Sequence, residues 1–426
     1  MTQSRSTTSL GGPGGPGGAL LVGQSGGATA VINASMVGIV MRARRSGAFG
    51  RVLGMRNGIE GVLQERLIDL TNVDERLLDR VRHTPSAALG TGRYKLGDGE
   101  LDRVLEIMAA RGVSALVYIG GNDSADTTWR IGERARERGY DLRVAAVPKT
   151  IDNDLPEMDH CPGYGSLARY LANTVRDATY DSIASPHLHA VKFVEVMGRD
   201  AGWVAASGAL GFGDDERDLE PLVLLPERPP INAVSVLNAV SADLERRGWA
   251  VVIVPETLRS AAGRHLGGDE PDYVDEFGHP YFPSTGAALT RLVSQGLGVR
   301  ARYDKPGTAA RMSISMASDV DLDEAYRLGA AAVELIVAGE SGFITVLNRV
   351  SENPFRCEVG TVPVERIANR VRPLPDAFIR NDGMGITDAF RSWALPLLGS
   401  DPFPSYARLP GDGTLQPGGT TIRTGA

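Results

Sequence analysis

Cysteine is nearly absent from this chain: Cys161 and Cys357 are the only two among 426 residues. Two thiols cannot staple a disulfide scaffold and no zinc-type spacing accompanies them, which suits a reducing compartment. Aromatic residues are scarce, at 6%. A run of ~18 apolar residues occurs nowhere, so no membrane-spanning helix is expected. Near the start, Arg5 is followed by no apolar core of the signal-peptide kind. Basic residues are outnumbered, 45 against 52 acidic ones, giving a net charge of −7 and a pI near 5.5. That balance argues against nucleic acid or an anionic membrane as the main partner, so an anionic substrate would have to meet locally clustered arginines. A soluble cytoplasmic protein acting on small molecules is the expectation.

Glycine is abundant, at 52 residues, but six lie between Gly11 and Gly18 and five between Gly411 and Gly425. These ends read as a disordered segment over 1–18 and a flexible tail over 399–426. The length suggests two domains, and 42% hydrophobic with 23% charged residues fits a globular α/β protein. An apolar run from Ala19 to Gly23 leads through a Gly/Ser cluster into helical spacing from Ala28 to about Arg45. The unit recurs: strand Ser114 to Ile119 then a helix to about Arg138, strand Leu142 to Val147 and helix Leu167 to Ser182. Beyond these, strand His189 to Val196, helix Asp200 to Leu210, strand Pro221 to Leu225, helix Ile231 to Arg247 and strand Trp249 to Val254 continue the alternation. Such alternation predicts two doubly wound, mostly parallel sheets, with a site in the cleft at the carboxyl ends of the strands. The stretches 214–230 and 263–280 read as surface loops.

Three strand ends carry chemistry. Gly23-Gln24-Ser25-Gly26-Gly27-Ala28-Thr29 is a glycine-rich turn entering a helix, where free N–H groups and the helix dipole favour phosphate; a tight structural turn would look the same. It is neither Gly-x-Gly-x-x-Gly nor a Walker A loop. Gly120-Gly121-Asn122-Asp123-Ser124 offers oxygens suited to Mg2+, or simply a turn in which Asp123 or Ser124 caps the next helix. Pro148-Lys149-Thr150-Ile151-Asp152-Asn153-Asp154 is more specific: one loop holds two carboxylates, a hydroxyl and an ammonium, a base beside a phosphate clamp.

In this order the residues resemble the pyrophosphate-dependent phosphofructokinases. Pro148 to Asp154 matches their PKTIDND motif, Gly120 to Ser124 resembles GGD(G/D)S, Met197-Gly198-Arg199 resembles MGR, and Pro255-Glu256 resembles PE. Gly90-Thr91-Gly92-Arg93 stands where the family has a phosphate-binding arginine. The likeness runs from about Leu20 to Gly339. It implies Asp152 as general base, Thr150 on the acceptor hydroxyl with Ile151 beside it, and Asp154 orienting metal or water. Met197, Gly198, Arg199 and Glu256 would hold the acceptor sugar, with Arg311 and then Arg302 on its distal phosphate. Gly26 and Arg93 would face phosphate, and Asn122 would contribute to a Mg2+ site. ATP-using relatives have glycines where this chain has Asp123 and Lys149; the carboxylate would crowd an α-phosphate and the ammonium would balance a pyrophosphate leaving group.

The resemblance further implies a donor domain over 19–165 completed by 310–398, a sugar-phosphate domain over 166–309, and a homodimer or homotetramer. The implied reaction is reversible transfer from pyrophosphate to fructose 6-phosphate; sedoheptulose 7-phosphate as acceptor, or a non-catalytic sugar-phosphate sensor, are the alternatives. A dinucleotide-dependent oxidoreductase fits the fold but not the motifs. Departures from the pattern are Asn122 for an aspartate, Thr257 after the PE pair, and a Lys305–Arg311 segment without the usual histidine. Ala190 stands where many members carry an arginine, leaving Lys192 or His189 to replace it.

Overall fold

The computed structural model describes residues 17–92, 94–198, 200–274 and 280–408. The expectations for 1–16 and 409–426 lie outside them. Along the chain, strand β1 (Ala19–Gln24) is followed by helix α1 (Ile32–Ser46), β2 (Arg51–Met55), α2 (Ile59–Leu63), β3 (Leu67–Asp69), α3 (Glu75–Arg82) and α4 (Asp98–Ala110). Next come β4 (Val113–Gly120), α5 (Asn122–Glu137), β5 (Arg143–Pro148), α6 (Tyr164–Ala184), β6 (Val191–Val196), α7 (Trp203–Ser207), β7 (Leu222–Val223), α8 (Ala233–Arg247) and β8 (Ala250–Pro255). A short hairpin, β9 (Tyr273–Val274) and β10 (Pro280–Tyr281), precedes α9 (Thr285–Leu297), β11 (Ala301–Asp304), α10 (Thr308–Met312), α11 (Asp319–Ala338), β12 (Phe343–Glu352), β13 (Phe355–Pro363) and α12 (Asp388–Ala394).

The strands form a seven-stranded sheet, β13-β12-β5-β4-β1-β2-β3, and a four-stranded sheet, β11-β6-β8-β7. The smaller sheet is parallel throughout. In the larger one β2, β1, β4, β5 and β12 run parallel, and antiparallel β3 and β13 close its edges. Both are buried on two faces, which is why their strands read as continuous apolar runs. Leu20 and Val22 face one core with α1 and α11, whereas Ala19 and Leu21 face another with α4 and α5. In the smaller sheet Val191 and Phe193 join α8 and α9, while Val194 and Val196 join α6 and α7.

Several boundaries differ from expectation for local reasons. The helix expected from Ala28 starts at Ile32, because the Ala30 N–H is bonded to the Arg311 carbonyl at 2.8 Å and Thr29 Oγ1 accepts from Ile32 N. The helix expected over 200–210 is α7 followed by a tighter 3-10 turn over Gly208–Gly211. Part of the loop expected over 214–230 is a 3-10 turn, Asp214–Leu219, whose Glu216 is buried against Arg176. Residues 399–408 lie along α6: Arg169 donates to the Leu398 and Ser400 carbonyls, Asn173 to Pro402, Arg176 to Pro404.

Helices α1 and α11 cross at a mutual glycine contact. A Cβ on Gly38 would stand 2.2 Å from the Tyr326 carbonyl oxygen, and one on Gly329 2.2 Å from that of Ser35. Only glycine allows backbones this close, and the contact draws α11 onto the first strand-helix unit.

Candidate functional site

Every motif singled out above, apart from Gly90 to Arg93, follows the carboxyl end of a parallel strand, where open α/β sheets expose backbone N–H groups and helix starts. After β1, Ser25 N bonds to the Ile119 carbonyl at 2.9 Å and Gly26 turns at φ 74°. Lys149 fills the space beside this turn. Its Nζ donates to the Gly27 carbonyl at 2.8 Å and would lie 3.2 Å from a Cβ on Gly26. On the other side, a Cβ on Gly27 would come within 2.7 Å of Arg311 Nη1. The turn, Arg311 and the Gly90–Gly92 loop line an open cleft of about 520 Å³.

Buried polar groups beneath the cleft hold that loop in place. Gln24 donates from Nε2 to Asn33 Oδ1 at 2.9 Å and accepts from Leu89 N at 2.9 Å, while Asn33 accepts from Ala88 N and donates to the Thr84 carbonyl. Both side chains are fully buried, so each bond replaces one that water would otherwise supply. Arg93, which follows Gly92, lies outside the described residues, as does Arg199.

After β4, the residue before α5 is Gly121 and no side chain caps the helix, so neither Asp123 nor Ser124 plays the capping part. The Ser124 side chain instead occupies the space a Cβ on Gly120 would need. Asp123 presents an exposed carboxylate in the first turn of α5, where the dipole favours a negative group. Asn122 donates from Nδ2 to the Arg370 carbonyl at 2.8 Å, and its buried Oδ1 meets no donor among the described residues. An unsatisfied amide oxygen beside a free-facing carboxylate is a donor set compatible with a hard divalent cation.

After β5, the Lys149 side chain is buried and Ile151 packs into the core that α6, α7 and α12 share with the smaller sheet. Thr150 Oγ1 accepts from Asp152 N at 3.1 Å and donates to Asp154 Oδ1 at 3.2 Å. One hydroxyl thereby ties the two carboxylate-bearing residues into a single turn. Asn153 between them sits at φ 53°, an αL position that asparagine tolerates, and its Oδ1 accepts from Cys161 N. Burial pushes the Asp154 carboxyl above the ordinary range, against the lowering pull of the Thr150 hydroxyl and the Arg372 and Lys149 charges. Asp152 is half-buried at the end of this turn.

The motifs of the smaller sheet follow its strands β6 and β8, and their described residues are not among those lining that cleft. Met197 packs partly on the core and Gly198 turns at φ 110° after β6. Glu256 follows β8, its N–H bonded to the Val196 carbonyl at 3.0 Å and its carbonyl accepting from Thr285 Oγ1. Sequence reasoning overlooked Glu195, a fully buried carboxylate that accepts from Ser284 Oγ, Gly286 N and Tyr303 OH and pairs with Lys305 Nζ at 2.7 Å. Burial works against the Lys305 ammonium, but the hydrogen bond and charge of Glu195 hold its pKa above the usual lysine value. The only signal for this pair was a lone glutamate inside an apolar strand.

Arg302 is exposed on edge strand β11, in register with Lys192 near the amino end of β6. The structure corrects the replacements expected for the arginine missing at Ala190. Lys192 Nζ and His189 Nε2 are both committed to Asp181 on α6, at 2.5 and 3.0 Å, far from the strand's carboxyl end. A glycine turn, two carboxylates on one neighbouring turn, and the cations Lys149 and Arg311 beside the glycine turn are groups suited to moving a phosphoryl group between oxygens, which demands positioning and charge neutralisation above all.

Comparison with known proteins agrees with that chemistry. The family model described as PFK, phosphofructokinase, matches residues 19–336. A protein of Xanthomonas campestris pv. campestris named pyrophosphate--fructose 6-phosphate 1-phosphotransferase is 39% identical over 92% of this chain and 96% of its own. One of the same name from Halomonas elongata is 37% identical over 90% and 92%. The crystal structure of a pyrophosphate-dependent phosphofructokinase from Nitrosospira multiformis superposes with a TM-score of 0.82 at 34% identity, covering 93% of this chain and 94% of that one. Among the described residues no helix is long and apolar enough to cross a membrane.

Proposed function

Because the chain belongs to the phosphofructokinase family, we propose that it transfers a phosphoryl group from pyrophosphate to the C1 hydroxyl of fructose 6-phosphate. The products are fructose 1,6-bisphosphate and orthophosphate. The two phosphoryl bonds are close in transfer potential, so the reaction runs both ways. The observation that carries the donor assignment is Lys149 lodged in the first glycine turn, 2.8 Å from the Gly27 carbonyl. With exposed Asp123 on the neighbouring helix start, it favours a compact pyrophosphate over a nucleotide.

In this reading Asp152 accepts the proton of the C1 hydroxyl as that oxygen attacks phosphorus, and the bridging P–O bond breaks with its electron pair leaving on orthophosphate. Thr150 orders the turn and meets the acceptor hydroxyl, Ile151 supports it from the core, and Asp154 orients metal or water. Gly26 and Arg93 face phosphate in the cleft, and Arg311, beside the same turn, is the first candidate for the sugar's distal phosphate. Met197, Gly198, Arg199 and Glu256 hold the sugar, and Arg302 is the further candidate for its distal phosphate. Asp123 and the Asn122 oxygen would hold Mg2+, which when bound neutralises charge on the phosphoryl oxygens. Residues 19–165 with 310–398 serve the donor, and 166–309 the acceptor, in a homodimer or homotetramer.

A grid of two donors, pyrophosphate and ATP, against two acceptors, fructose 6-phosphate and sedoheptulose 7-phosphate, tests the proposal in Mg2+ buffer with a chelator control. Bisphosphate from pyrophosphate and fructose 6-phosphate, lost on chelation, is expected. Turnover with ATP alone rejects the donor, preference for the seven-carbon acceptor rejects the sugar, and ligand-induced melting shifts without turnover indicate a sensor.

A further inference from the structure

The segment from Arg370 to Leu374 touches three of the regions that carry the motifs, and Arg372 is the centre of that contact. Its backbone N–H donates to the Asp154 carbonyl at 2.7 Å. Nε and Nη2 both donate to the Asn153 carbonyl, at 3.2 and 2.8 Å. Nη1 donates to the Met158 and Asp159 carbonyls, the latter at 2.9 Å. The guanidinium carbon lies 4.7 Å from the centroid of the Trp203 ring, and Trp203 Nε1–H donates back to the Arg372 carbonyl at 3.1 Å. Two residues earlier, the Arg370 carbonyl receives the Asn122 side chain. Two residues later, Leu374 N–H shares Glu227 Oε1 with Gly202 N–H, each at 2.8 Å.

We propose that Arg372 is a positioning residue, which holds the Asp152–Asp154 turn and the segment entering α7 at Trp203 in one fixed relation. The inference rests on the functional reading above wherever turnover is its readout. The turn it grips is irregular, with Asn153 left-handed, and no strand ladder fixes it. Four side-chain donor contacts from one rigid fork replace that ladder, while the ring beneath ties the fork to α7 in the core of the smaller sheet. Lysine offers the charge without the planar fork, and methionine offers neither. Because Arg372 points its donors at protein carbonyls, its loss misplaces the base, together with Thr150 and Asp154 on the same turn, relative to the acceptor hydroxyl and leaves the Gly26–Gly27 turn, Arg311 and Glu256 in place. A misplacement of ~1 Å costs on the order of 10²-fold in rate.

The test compares wild type, Arg372→Met, Arg372→Lys and a control, Arg356→Met, which loses only an exposed ion pair to Glu358. Turnover with pyrophosphate and fructose 6-phosphate is measured beside amide exchange of the 150–159 peptide. For Arg372→Met, kcat should fall roughly 10²-fold with both KM values within about threefold, the pattern of an interaction needed only in the transition state. Exchange over 150–159 should quicken about tenfold while the rest of the chain is unchanged. Arg372→Lys should be intermediate and the control should match wild type. Unchanged kcat, or a rise in KM alone, overturns the proposal; so does faster exchange spread over the whole chain, which marks a general stabilising role. If Arg372→Met does not fold, Arg372→Lys decides: wild-type kcat and exchange sink the idea. An inactive wild type defeats the functional reading instead, and the exchange result still judges the clamp.

Discussion

Lys149 Nζ reaches from the end of β5 to the turn after β1 and donates to the Gly27 carbonyl at 2.8 Å. A single ammonium thus joins two of the three strand-end loops to which the proposed function assigns phosphate, inside a buried setting where its charge is weakly screened.

Replacing it isolates that contribution. Lys149→Met should reduce pyrophosphate-supported turnover by roughly 10²-fold, the usual effect of removing one preorganised donor from a developing negative charge. Steady-state kinetics at saturating fructose 6-phosphate measures it. Turnover within a factor of about two of wild type would show that the lysine serves the turn's shape and not the leaving group.

Asp152→Asn keeps the size and polarity of the side chain and removes its ability to take a proton. The expected result is a kcat lower by at least about 10²-fold with KM for both substrates nearly unchanged. Retention of more than about a tenth of the rate would remove Asp152 from the base role.

Much of this arrangement was legible in sequence because it is local. Strand runs such as Ala19 to Gly23 end in loops whose residue types declare their chemistry, and the doubly wound parallel sheets follow from strand and helix alternation. The contacts that unite those loops were not legible. Arg372 lies 218 positions from Asp154 and the Lys305–Glu195 pair spans 110. Neither pair has a pattern, because each is made by the fold bringing distant segments together. The late start of the first helix was hidden for the same reason: the Arg311 carbonyl claims the Ala30 N–H. The α1–α11 crossing was equally hidden, since Gly38 and Gly329 look like ordinary helix glycines until their Cβ positions are placed against a carbonyl.

That crossing makes a stability prediction. Gly329→Val should destabilise the fold by about 2 kcal/mol or more, since the added atoms meet the Ser35 backbone and the helices must separate. Chemical denaturation of the variant, compared with Gly339→Ala at an open position past the end of α11, checks it. A larger loss in Gly339→Ala would refute the steric account, although that site carries its own cost from φ 105°.

His160 makes stability depend on pH. Its ring nitrogens meet Asp159 at 2.8 Å and Glu324 at 2.6 Å, and Arg349 pairs with Asp159, so the Asp159 and His160 atoms close to Cys357 are engaged by these bonds. Burial alone would lower the imidazole pKa, but the charges and hydrogen bonds of the two carboxylates raise it to about 9. A histidine raised above its unfolded value, near 6.5, contributes stability that is complete below about pH 6.5 and is lost as the pH climbs through the folded value. Burial pushes Asp159 up, yet His160 and Arg349 hold it below the usual range, so its contribution is present above about pH 4 and is lost in acid. The urea midpoint of wild type should therefore fall between about pH 6.5 and 9.5, whereas His160→Gln should start lower and show little slope there. A variant that keeps the wild-type slope would place the titrating group elsewhere.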